Sequence, residues 1–180
     1  QGENYKSARN PWRGNAGRLA VKQACSSDPL FDAFLDSGTQ SGQGRSDDLN
    51  GFNPEGLARL DCTILDGKRC SSATAHLRPA LGRANLTLIT MAESRKIIIN
   101  GGKAQGVVFT HSGETITAFA GQEMLLCAGA INSPALLIKS GIGPAAHLKD
   151  CDIPLRLHLP GVGKNLQDHA KIRLQFASKK

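Results

Sequence analysis

The sequence predicts a mixed α/β fold, and three observations lead there. An unbroken apolar run, Met124-Leu125-Leu126-Cys127-Ala128, stops at Gly129 and gives way to a helix signature. Before it lie strand-like segments separated by Asn100-Gly101-Gly102 and His111-Ser112-Gly113, which reads as a β-meander. Earlier still come two capped helices, one opening at Ser27-Asp28-Pro29 and one at Ser71 or Ser72.

In chain order, residues 1–18 are polar and read as irregular, with Leu19-Ala20-Val21 a short strand. The helix capped at Asp28 is expected to run to about Ser41, with Leu30, Phe31, Phe34 and Leu35 packing one face into a core. Gly42 and Gly44 close it. Asp47-Asp48-Leu49-Asn50-Gly51-Phe52-Asn53 is rich in side chains that hydrogen-bond their own backbone, so it reads as an exposed turn rather than an acid–base pair or a metal site. Residues 57–65 alternate loosely as a strand, Asp66-Gly67 turns, and the helix from Ser71 or Ser72 reaches Leu81. His76 on that helix reads as a structural residue. The meander is expected to comprise strands over 85–90, 95–99, 104–110 and 115–120, the last leading into a strand at 124–128 buried on both faces. Cys127 within it reads as a core thiol.

Gly129 breaks the apolar run, and Ser133-Pro134 reads as N-cap and first-turn proline of a helix that ends at Ser140-Gly141. Strand, glycine turn and helix start together aim free backbone N–H groups at an anion, most often a dinucleotide phosphate, although every α/β protein repeats the pattern structurally. A short helix over 144–149, an extended piece at 152–157 and a tight loop at Pro160-Gly161-Val162-Gly163 follow.

The stretch from Gly129 to Pro144 resembles the second signature of the glucose–methanol–choline oxidoreductase family: a small-residue turn, Ser-Pro, two aliphatics and Ser-Gly-Ile-Gly. Leu159-Pro160-Gly161-Val162-Gly163-Lys164-Asn165-Leu166-Gln167-Asp168-His169 is similar to the family's downstream segment, and Asp47–Asn53 and Gly67–Leu77 resemble its substrate-side segments, with His76 in a tyrosine slot. The resemblance implies part of an FAD-binding, Rossmann-like domain with a β-meander over 85–170, part of a substrate (cap) region over 1–84, and the start of a further substrate domain at 171–180. It implies FAD as cofactor, with Ser94 at the adenine end through its backbone, Ala128, Gly129 and Ser133 at the turn, and Asp168 and His169 positioned near the flavin. It also implies a small-molecule alcohol as substrate. No Gly-x-Gly-x-x-Gly occurs in the chain, and the family's catalytic histidine is expected beyond Lys180, so no catalytic residue and no metal ligand is assigned.

Composition bounds the alternatives. The formal charge of +7 comes from scattered Lys and Arg without interleaved aromatics, which argues against a nucleic-acid partner. Five cysteines without C-x-x-C spacing point to reduced thiols rather than a zinc site or disulfide framework, and no leader or membrane-spanning run is visible, so a cytoplasmic setting is expected, with membrane association open but not indicated. The leading reading is a partial flavin-dependent alcohol dehydrogenase or oxidase, inactive alone. The alternatives are a non-catalytic nucleotide-binding module of the same fold and a basic nucleic-acid-binding protein.

Overall fold

The computed structural model describes residues 2–7, 11–25 and 27–175. The chain divides into two compact units, residues 1–88 and 89–180. Among the described residues no helix is long and apolar enough to cross a membrane, and no three His, Cys, Asp or Glu side chains are grouped to hold a metal ion.

The first unit is built on a small sheet. Strand β1 (Glu3–Tyr5) runs parallel to β2 (Leu19–Gln23), which pairs antiparallel with β3 (Asp61–Cys62). The polar Glu3–Tyr5 lies in the stretch expected to be irregular. A three-residue polar strand carries no apolar period, and here it is held by Gly17 N–H donating to the Glu3 carbonyl (2.9 Å). Helix α1 (Pro29–Gln40) begins as expected, with Asp28 Oδ1 accepting from Leu30 N–H at 2.9 Å. Its apolar stripe is not a core face: Leu35 is buried, but Leu30 and Phe34 are exposed. The Arg59 guanidinium lies over the Phe31 ring, 4.6 Å from its centre.

The expected strand over 57–65 is broken into β3 and β4 (Ile64–Leu65), with Leu57 forming only an isolated bridge to Arg45. Strand β4 turns through Asp66 and Gly67, both left-handed, into β5 (Lys68–Arg69). The helix expected to reach Leu81 is a wide turn over Ala73–Leu77 followed by a tight one over Arg78–Ala80. Pro79 explains the change, because it has no N–H to continue an i→i−4 ladder. Ser71, not Ser72, does the capping: its Oγ accepts from Thr74 N–H at 3.2 Å.

Arg13 ties this unit together. Its side chain is only 5% exposed. Nε donates to Glu3 Oε1 (2.8 Å), Nη1 to Asp48 Oδ1 (2.6 Å) and to Asp61 Oδ2 (2.8 Å), and the guanidinium stacks on Tyr5 at 3.9 Å. The Asp47–Asn53 turn forms, with Asp48 Oδ1 also accepting from Asn50 N–H at 2.9 Å, but it is not wholly exposed as expected, since Arg13 draws the Asp48 side chain inward to 10% exposure.

The second unit opens with an antiparallel meander, β6 (Ala92–Asn100), β7 (Lys103–His111) and β8 (Glu114–Phe119), in sheet order β6-β7-β8. Both expected turns are present, with Gly101, Gly102, Ser112 and Gly113 at positive φ. The strand expected over 85–90 does not form: Met91 is left-handed (φ 54°), which ends extended backbone just before β6. Helix α2 (Gly129–Lys139), strand β9 (Ile142–Gly143), helix α3 (Ala145–Asp150) and strand β10 (Leu157–His158), parallel to β9, complete the unit. Of the piece expected to be extended over 152–157, only its end pairs. Ile97, Phe109, Leu136, Ile142 and Leu148 are its buried apolar residues, Leu148 completely.

The apolar run at 124–128 is a correction. It belongs to no ladder, Leu125 is 80% exposed, and Cys127 is exposed rather than a core thiol. A buried parallel strand needs neighbours on both sides, and the described residues offer none to this segment.

Two outcomes are expected for the Arg13 cluster. Replacing Arg13 with Met leaves three carboxylates facing one another, at a cost of about 3–5 kcal/mol in chemical denaturation followed by Trp12 fluorescence. The hydrogen bond from Arg13 holds the Glu3 carboxyl below its ordinary range, against the opposing effect of desolvation. A carboxyl with a depressed folded-state pKa stabilises above its unfolded value, ~4.3, and loses that contribution as pH falls further. Glu3→Gln is therefore expected to flatten the acid side of the stability curve below about pH 4.3.

Candidate functional site

The start of α2 differs in detail from the expected one and keeps its chemistry. Gly129 takes φ +86°, which only glycine adopts cheaply, and turns the chain directly into the helix. Ser133 and Pro134 lie inside α2 rather than at its cap and first turn. A proline there forfeits one bond, to the carbonyl four residues earlier. The Ser133 hydroxyl reaches back, its Oγ accepting from Ala128 N–H at 3.1 Å, and so closes the turn. The first N–H groups of the helix are left without intrahelical acceptors, pointing outward at its positive end. A Cβ built on Gly129 would meet nothing within 4 Å, so the space beside this turn is open.

Two hollows flank α2. One, of about 360 Å³, lies against β6 and is lined by Glu93, Ser94, Ala128, Asn132, Leu136 and Lys139 among others. Ser94 and Ala128, distant in sequence, thus face the same cavity, whereas Gly129 and Ser133, also expected at the site, do not line it. The other, of about 580 Å³, lies between Ile131, Pro134 and Ile138 on α2 and the loop Gly163–Gln167. Gly163 in that loop is left-handed, with φ +75°.

Asp168 and His169 join neither cavity lining. Both are exposed, and Asp168 Oδ1 accepts from the His169 backbone N–H at 2.7 Å, a local turn rather than an acid–imidazole pair. Asn132, Lys139 and Glu93 on the cavity wall had no sequence signal beyond their place on α2 and β6. Ser140 is legible as the last residue before a helix-ending glycine and as the serine of the Ser-Gly-Ile-Gly element, but neither gives its hydroxyl a partner.

An open helix start with a left-handed glycine beside a cavity of this size is suited to a phosphate-bearing heterocyclic ligand. Residues 2–171 match the family model for GMC oxidoreductase. The chain belongs to the GMC oxidoreductase family. It is 43% identical over 179 residues to the oxygen-dependent choline dehydrogenase of Paraburkholderia phymatum, covering 98% of this chain and 31% of that protein. Against the Burkholderia ambifaria enzyme of the same name it is 44% identical over 172 residues, 94% of this chain and 30% of the relative. Its fold matches pyridoxine 4-oxidase from Mesorbium loti with a TM-score of 0.79 at 31% identity, over 93% of this chain and 33% of that one. An FAD-dependent oxidoreductase from Chaetomium thermophilum shares the fold with a TM-score of 0.83 at 24% identity, over 92% of this chain and 31% of that one. The chain thus spans about 31% of the length of the first of these relatives. The meander, the glycine turn and α2 are a portion of the FAD-binding oxidoreductase fold.

The two glycines bracketing α2 separate strain from clash. Gly129→Ala meets open space and pays only for a left-handed alanine, about 1–2 kcal/mol. Gly141→Ala pays that and also drives its Cβ to 2.5 Å from the Pro154 carbonyl oxygen. Thermal unfolding followed by circular dichroism should rank Gly141→Ala well below Gly129→Ala, and equal losses would contradict this account.

Proposed function

We propose that this chain is part of a flavin-dependent alcohol oxidoreductase and forms one wall of its FAD site. The observation that supports this most directly is the shared cavity of Ser94 and Ala128 beside the open start of α2. In this reading the Ser94 backbone meets the adenine end, and the Ala128–Ser133 turn offers N–H groups and the helix dipole to the phosphate side. The loop Gly163–Gln167, leading to Asp168 and His169, borders the cofactor from the other side of α2. When bound, FAD supplies an acceptor for the hydride leaving the alcohol carbon. The residues of this chain orient and cover it, and none is assigned to proton transfer.

The substrate class is a small alcohol, by analogy with relatives named for choline and pyridoxine. Residues 1–84 form part of the substrate side in this reading and 85–170 part of the FAD-binding domain, with 171–180 opening a further substrate domain. A cytoplasmic setting accords with five free cysteines in the sequence, all unpaired.

The test is an adenine nucleotide titration of the purified chain. ADP at millimolar concentration is expected to shift the backbone amide signals of Ser94, Ala128 and Gly129 to saturation. The chain as purified is expected to be colourless, since it provides one wall of the site. Absence of any shift at those three amides would refute the assignment, and stoichiometric yellow flavin in the purified chain would refute the partial-wall reading.

A further inference from the structure

We propose that Ser140 is a positioning residue for the cofactor cavity: its hydroxyl locks the strand bearing Ser94 in register with the helix that follows Ala128 and bears Asn132. The inference rests on the reading of that cavity as part of an FAD site.

Among the described residues strand β6 is an edge strand, paired only with β7. Ser94 lies opposite Phe109 and Lys96 opposite Val108, so Arg95 is an extra residue, a bulge immediately after Ser94. Bulges re-aim the backbone next to them, and this one sits between the cavity wall and the buried part of the strand. Two residues further on, Ile97 is buried at the sheet edge. Its N–H donates to Ser140 Oγ at 2.8 Å, and the same hydroxyl donates to the Leu136 carbonyl at 2.6 Å. Ser140 is 1% exposed, so water has no access to replace it.

That one hydroxyl therefore satisfies a strand amide and a helix carbonyl together. Leu136 packs beside it and itself lines the cavity. Apolar packing sets how far apart a strand and a helix lie, but leaves them free to slide. A pair of directional bonds sets their register. Ser94 is three residues from the clamp along β6, and Asn132 eight residues from it along α2. Sliding at Ser140 is thereby transmitted to both walls, while the fold need not be lost.

The experiment compares wild type, Ser140→Ala and Ser140→Cys, with Ile142→Val as a control that loosens the same core away from the clamp. Two quantities are read: the ADP dissociation constant from the Ser94 and Ala128 amide shifts, and the hydrogen-exchange rate of the Ile97 amide. Ser140→Ala is expected to weaken ADP binding about fivefold, the scale of one lost hydrogen bond, and to speed Ile97 exchange about tenfold. Ile142→Val is expected to lower the melting temperature while leaving ADP affinity within about twofold of wild type. Ser140→Cys, with similar volume and a weak acceptor, should fall between, and it stands in if the alanine variant does not fold. Equal ADP affinity in the serine variants and Ile142→Val would overturn the positioning role. No ADP response in wild type would instead overturn the FAD reading, and the inference with it.

Discussion

A sheet edge covered by a helix holds amides that water cannot reach, and each must find a partner within the protein. In the second unit that constraint falls on Ile97, and it is met by a side-chain hydroxyl. An unmet amide there would cost about 1–3 kcal/mol. The requirement explains why α2 ends where it does. Ser140 sits at the C-cap with its own N–H turned back to Leu136 and Leu137, and left-handed Gly141 then redirects the chain. The carbonyl of Gly141 accepts from Arg156 N–H at 2.8 Å, which brings β10 alongside β9. The helix end, the edge of β6 and the small parallel pair are thus consequences of one buried polar contact and one glycine.

The first unit meets the same constraint with charge. A guanidinium that is almost wholly buried is tolerable only if its donors are used, and Arg13 uses its planar fork on Glu3, Asp48 and Asp61. Those carboxylates come from β1, the 47–53 turn and β3. Apolar burial in this unit is modest, with Ala20, Cys70 and Ala75 forming its small cluster. Directional charged bonds therefore carry the topology that a larger core would otherwise impose. Net burial of charge is costly, so the arrangement specifies geometry more than it adds stability.

Local chemistry was readable from the sequence wherever a residue acts on its own backbone. Asp28 capping, the turns at Asn100–Gly102 and His111–Gly113, the 47–53 turn and the stop at Gly141 all follow from side-chain reach and allowed φ. What needed a second segment was not readable. The polar strand Glu3–Tyr5 exists because β2 pairs with it, and the stripe on α1 is only partly covered, Leu35 being buried and Phe31 lying under Arg59 while Leu30 and Phe34 stay exposed. At the candidate site the glycine turn and the resemblance around Ser94 were legible. The shared cavity of Ser94 and Ala128 was not, and neither was the hydroxyl clamp, since both depend on how β6 lies against α2. The place of Ser133 before proline predicts a cap, yet its hydroxyl acts backward, on Ala128.

The run Met124–Cys127 is where pattern and structure diverge most, and energetics says why. A leucine transferred from water to a core contributes about 1.5–3 kcal/mol, and an exposed one contributes none of it. Leu125 and Ile131 flank the candidate turn and are both largely exposed, so the surface next to the proposed cofactor wall is apolar without being covered. Apolar composition marks a segment as suited to burial, but a strand is a relation between segments. In relatives about three times as long, the matched region is one part of a larger fold. An apolar run left exposed beside the helix start is therefore a surface suited to burial rather than one built to face water.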